Sequence, residues 1–234
     1  MIAKNHKNQA GNVFFLVMVA VLLFGALMFT FSRGARQGTD TMTDRRADVV
    51  ASDLLNYAQR LERAVSRLQQ RSISESDMSF EHSGDDGDDY ENTSCTVARC
   101  RIFSESGGGA RYRDITSELA ISGGTQIITG EWRIEGVGED CADDRCVELT
   151  LFVNLGDNAR LCGRLNQMLR ITDTIETPTV LTLNVTGAPF TGAFSHNPSR
   201  VINHATLNGR TAACFGATHD DETSYIFYNV LLPR

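Results

Sequence analysis

Residues 13–31, VFFLVMVAVLLFGALMFTF, carry no charge, and no other feature of the chain constrains its fold as strongly. As a helix rising 1.5 Å per residue they extend about 28 Å, close to the roughly 30 Å hydrocarbon core of a bilayer. A removed secretory signal has an apolar region of only about 7–15 residues. The following FTFSRGA also places Arg33 where cleavage wants small side chains. The sequence therefore predicts a retained membrane-spanning segment. Lys4, Lys7 and the amino terminus precede it, and Arg33, Arg36, Arg45 and Arg46 follow it. Counted literally, these charges lean against translocation of the body, but long carboxy-terminal domains cross largely regardless of charge.

The cysteines settle the orientation. All six, Cys95, Cys100, Cys141, Cys146, Cys162 and Cys214, lie beyond the apolar segment, and an even set suits an oxidising compartment. The amino terminus is thus expected in the cytoplasm. The close pairs CTVARC and CADDRC invite local bridges, which leaves Cys162 with Cys214 as a long-range staple worth roughly 3–4 kcal/mol in the chain-entropy model. A four-cysteine zinc site built from the two close pairs is the alternative, at the loose end of structural zinc spacing. The formal net charge of −7 argues against a nucleic-acid partner held by phosphate contacts. Both lysines of the chain, Lys4 and Lys7, precede Gly11; every later cation is arginine.

The leader with Lys4 and Lys7, Gly11 at its end and the apolar run VFFLVMVAVLLFGALMF one residue later resemble the amino terminus of the type IV pilin-like superfamily, which includes pilins, minor pilins and type II secretion pseudopilins. The resemblance covers about the first thirty residues. It implies that a prepilin peptidase cuts after Gly11 and that Asn12 becomes the N-methylated first residue. Val13, Phe14, Phe15, Leu16, Val17, Val19, Leu22 and Leu23 would then serve in the filament core against other pilin-like subunits. It further implies a single-pass protein of the bacterial inner membrane, its carboxy-terminal domain in the periplasm, that reaches the cell surface in an assembled filament. The family usually has glutamate at the fifth mature position, pairing with a neighbour's amino terminus, where this chain has Leu16. Loss of that glutamate is seen in a tip-located minor pseudopilin. No proline occurs before Pro178 to kink the helix. Both features imply a minor or tip-type subunit.

Beyond the span, Gly34 and Gly38 in a polar stretch loosen the chain. Val50, Leu54, Tyr57, Leu61, Val65 and Leu68 then recur at spacings of three and four and predict an amphipathic helix over about 44–71. From 72 to 98 no lysine or arginine appears, whereas Glu75, Asp77, Glu81, Asp85, Asp86, Asp88, Asp89 and Glu91 do; the run reads as a solvated loop without EF-hand spacing. TQIITGEWRIEGV and CVELTLFVNL alternate as strands, the second half-buried, and suggest an antiparallel hairpin closed at GEDCADDRC. GDNARLCGRLNQMLRI reads as a second helix with Asp157 as its cap. TVLTLNVTG, the region around Val201 and TSYIFYNVLLPR supply further strands.

The expected organisation is a leader at 1–11, a filament-core helix at 12–31, a stem helix at 32–71 and a disulfide-stapled head at 72–234. The expected fold class is α+β: a long amino-terminal membrane-spanning and amphipathic helix packed on an antiparallel β-sheet head with a second helix. His82, His196, His204 and His219 show no metal-ligand spacing, Gly107 to Gly109 lack a following GK[ST], and no GxSxG occurs. The expected function is structural, with no cofactor, metal or catalytic site. The alternative is a bitopic envelope protein with a periplasmic ligand-binding or sensor head, which Leu16 and the missing proline favour.

Overall fold

The computed structural model describes residues 10–82, 89–121, 124–138, 143–171, 180–181, 187–219 and 222–234. The chain divides into two compact units, Met1–Arg46 and Ala47–Arg234. Helix α1, Ala10–Gln70, provides the described part of the first unit and opens the second. It runs unbroken through Gly34 and Gly38, where the sequence suggests a loosening. Each glycine costs a helix about 1 kcal/mol against alanine, which neighbouring turns can absorb because propagation is cooperative.

Within the second unit, α1 buries Ala51, Leu54, Tyr57, Ala58, Leu61, Ala64, Val65 and Leu68 almost completely. This is the apolar stripe at spacings of three and four that the sequence predicts. The helix stops where Ser72 turns into the left-handed region (φ 60°), so that the Ile73 N–H donates back to the Leu68 carbonyl at 3.1 Å. A one-turn helix α2, Ile115–Glu118, follows, capped by the Asp114 carboxylate accepting from the Ser117 N–H at 3.2 Å. The longer α3, Ala159–Met168, is capped by Asn158 rather than Asp157, its side chain accepting from the Leu161 N–H at 3.0 Å.

The described residues of the unit also form six strands: β1 Thr125–Ile134, β2 Glu148–Asn154, β3 Val180–Leu181, β4 Val201–Ile202, β5 Ala212–His219 and β6 Glu222–Leu232. They lie in the order β3-β5-β6-β2-β1-β4. The four central strands pair antiparallel, with Ile128 opposite Leu151, Phe152 opposite Tyr228 and Phe215 opposite Ile226. The two flanking strands are parallel to their neighbours, Val180 beside Gly216 and Arg133 beside Val201.

The expected fold class is therefore corrected. The sheet is mixed, not antiparallel, and among the described residues no helix is long and apolar enough to cross a membrane. Alternation identifies a strand but says nothing of the direction of its neighbour. The parallel neighbours here arrive over long connections, as parallel pairing requires. Among the described residues three α-helices stand where the sequence suggests two.

Strand β2 is also buried on both faces, not one. Leu149, Leu151 and Val153 point into the core beneath α1 and α3, together with Leu61, Leu165 and Phe227. On the other face Phe152 joins Trp132, Ile134, Ile202, Leu207, Phe215 and Tyr228 in a second core. Thr150 and Glu148 are wholly buried on that second face, and the Ile134 N–H donates to the Glu148 carboxylate at 3.0 Å. The carboxylate thus serves a backbone group next to the register shift between Thr129 and Trp132.

Candidate functional site

The residues expected to matter fall into two groups, one in each unit. Gly11, Asn12, Val13, Phe14 and Leu16 lie in α1, with their side chains outside the described residues. Phe15, Val17, Val19, Leu22 and Leu23 are exposed, as are Met18, Val21 and Phe24; the values run from 38% for Val19 to 69% for Phe24. Consecutive helical positions point in every direction around the axis, so this stretch has apolar side chains on all sides and no polar face to give to water. Fully burying one such side chain is worth about 1.5–3 kcal/mol, so eight of them left uncovered forgo on the order of 10 kcal/mol or more. That rivals the net stability of a whole domain.

The cysteines lie in the second unit. Cys95 is bonded to Cys100, and Cys162 on α3 to Cys214 on β5. Cys146 is also disulfide-bonded, while Cys141 lies outside the described residues. Sulfurs bonded to each other are not thiolate ligands, which sets aside the four-cysteine zinc alternative. One turn along α3 from Cys162, the buried Asn166 amide clamps the same strand. Its Nδ2 donates to the Cys214 carbonyl at 2.8 Å, and its Oδ1 accepts from the Cys214 N–H at 2.8 Å. Among the described residues β3 pairs with Gly216 and Ala217, and the amide serves as a ladder partner to Cys214.

The irregular segments are held by aromatic rings. His82 stacks on Tyr112 with centroids 3.6 Å apart, and both rings meet Phe103 edge-on. Contact then passes from Phe103 to Phe80, Phe190 and Phe194. The Arg234 guanidinium lies 3.8 Å above the Phe194 ring, pairs with Glu75 at 2.7 Å and donates to the Asp144 carbonyl at 2.8 Å. A further ion pair joins Arg200 to Glu131, whose carboxylate also accepts from the Ala188 N–H. These residues are scattered between positions 75 and 234, and no spacing in the sequence announces that they meet. Asn166 is equally hidden, since a polar residue on a helix ordinarily faces water.

The electrostatics are those of scaffolding. Hydrogen bonds from Ser117 and then Thr116 hold the Asp114 carboxyl below the usual range, and Arg145 does the same to Asp143. Burial pushes the Tyr57 and Tyr228 phenols far upward. The His196 backbone N–H donates to the distant Asp144 carboxylate at 2.6 Å, and His204 Nδ1 accepts from the Thr206 N–H at 3.3 Å within a local turn. Among the described residues no three His, Cys, Asp or Glu side chains converge as a metal site. The core of the acidic run, residues 83–88, lies outside the described residues, as do 139–142 at the hairpin tip. No known protein family, characterised protein or solved structure matches the chain.

Proposed function

We propose that this chain is a structural, pilin-like subunit of a type IV pilus or type II secretion-like filament, in a minor or tip position. The observation that carries the reading is the set of exposed apolar side chains Phe15, Val17, Met18, Val19, Val21, Leu22, Leu23 and Phe24, in a stretch whose sequence offers no polar face around the helix. Such a surface needs an apolar surrounding. The inner membrane supplies one before assembly, and the corresponding segments of other subunits supply one afterwards. The uncharged sequence of residues 13–31 and the Gly11-Asn12 step before it support the same reading. The head, with its bonded cysteines, suits the oxidising side of the membrane.

The test is amino-terminal and intact-mass analysis of the protein from its native membrane. A mature chain beginning at N-methylated Asn12 is the expected result; a chain beginning at Met1 overturns the reading. Leu16 favours a second reading, a bitopic envelope protein with a periplasmic binding or sensor head, because it lacks the carboxylate that would recruit a neighbouring subunit. On that reading the chain stays in the membrane fraction when surface filaments are sheared off, and substituting Gly11 leaves its size unchanged.

A further inference from the structure

The solvent side of α1 in the second unit carries an arrangement that its own domain does not use. Arg60, Arg63, Arg67 and Arg71 recur at spacings of three and four, which aligns them in one row along the helix, and all four are exposed. Arg71 is engaged, donating to the Ser106 and Gly107 carbonyls at 2.6 and 2.9 Å. The Arg67 guanidinium lies over Gly109. Arg60, Arg63 and Arg67 form no ion pair among the described residues. Glu62 is the nearest acid in sequence, but side chains one and two positions apart on a helix do not face each other.

Like charges at these spacings repel and weaken a helix, so the row is unfavourable within the monomer. It also opposes the charge of the protein, which is −7 overall. The complementary charges are the described acidic residues between α1 and Cys95. Of these, Asp77 is half-buried, Glu75 is paired with Arg234 and Glu81 with Arg101. Asp89 and Glu91 are exposed and form no ion pair among the described residues.

We infer that the row of Arg60, Arg63 and Arg67 docks the acidic surface around Asp89 and Glu91 of a second copy of this chain. The two surfaces are different, so two copies can meet through both pairs at once, as a closed dimer, or through one pair, head-to-tail. The filament reading requires the head-to-tail form, in which each copy keeps one free row and one free acidic surface and a rotation that does not close extends the contact into an open array. The inference rests on the filament reading and deepens it by naming the head surfaces that meet. Because the charges are exposed, the contact weakens as added salt shortens the screening length from its roughly 10 Å at 0.1 M.

The test exploits the absence of lysine after Lys7. The full chain carrying Arg63→Lys, in its native membrane, is treated with a carbodiimide that joins an amine to a carboxylate only in direct contact. The expected product is a cross-linked dimer in which position 63 is joined to Asp89 or Glu91 of the other copy, and it is lost at high salt. Coupling within one chain only, coupling to a different protein, or no coupling overturns the inference. As an independent measurement, differently tagged copies co-purify; R60E/R63E abolishes this, and adding Asp89→Arg and Glu91→Arg in the same chain restores it. Loss without restoration also overturns the inference. The amino terminus of the same samples separates the two readings. A start at Asn12 without cross-linking defeats the docking alone, and a start at Met1 with cross-linking defeats the filament alone.

Discussion

Asn166 does with one side chain what a strand would do with its backbone. Both of its amide atoms are committed to Cys214, and the residue is fully buried between α3 and β5. Replacing it with leucine of similar bulk would leave the Cys214 N–H and carbonyl without those partners, and a buried backbone group left unpaired costs about 1–3 kcal/mol. Asn166→Leu should therefore lower the stability of the oxidised protein by about 2–3 kcal/mol in urea unfolding. A loss below about 1 kcal/mol would mean that solvent reaches the strand and replaces the amide. The disulfide from Cys162 joins the same helix to the same residue of β5, so α3 is held to that strand by a covalent and a polar tether at once.

The helices share a way of ending that their sequence conceals. Ser72, Ala120 and Arg170 all adopt positive φ, at 60°, 51° and 57°, immediately beyond α1, α2 and α3. Glycine takes that conformation freely, whereas an L side chain pays about 1–2 kcal/mol for it. Arg170 is exposed, so Arg170→Gly should raise stability by a few tenths to about 1 kcal/mol once the extra freedom of the unfolded chain is counted. A thermal midpoint equal to or below that of the parent would contradict this. The same blindness to termini explains the cap at Asn158 rather than Asp157, since either residue can cap and only the entry angle of the chain decides. The buried stripe of α1 was legible because periodicity reports a burial face directly. Strands β1, β2 and β6 were legible for the same reason. Strand β5, AACFGATH, was not: its small residues fit a sheet only because β6, α3 and the second core surround them. Of the candidate site, the sequence displayed the apolar run and the cysteines, which are contiguous or countable. The aromatic chain and the Arg234 junction depend on residues far apart along the chain, and no local pattern encodes such meetings.

Across the whole head, the two cores on either side of the sheet each hold a tyrosine whose ionisation burial opposes. Tyr57 belongs to the core beneath α1 and Tyr228 to the core on the other face. Above the ordinary tyrosine pKa of about 10, the unfolded chain releases these phenolic protons and the folded one keeps them. Their contribution is complete below that pH and falls as the pH rises, because the folded state then binds more protons than the unfolded one. The urea midpoint should drop between about pH 9 and about pH 11, and Tyr57→Phe should make the drop shallower. A midpoint equally steep in the variant would remove Tyr57 from the account. The order of the strands carries a different consequence. Among the described residues the two-residue strand β4 lies outermost on the β1 side. On the β1 side the backbone is taken up further by Phe190 and Ser195, whose N–H groups donate to the carbonyls of Ile128 and Gly130. Long bare strand margins are templates on which neighbouring chains can polymerise by backbone pairing. On that margin a neighbouring chain would find little free backbone to pair with, so any contact made there must rest on side chains, where sequence can tune it.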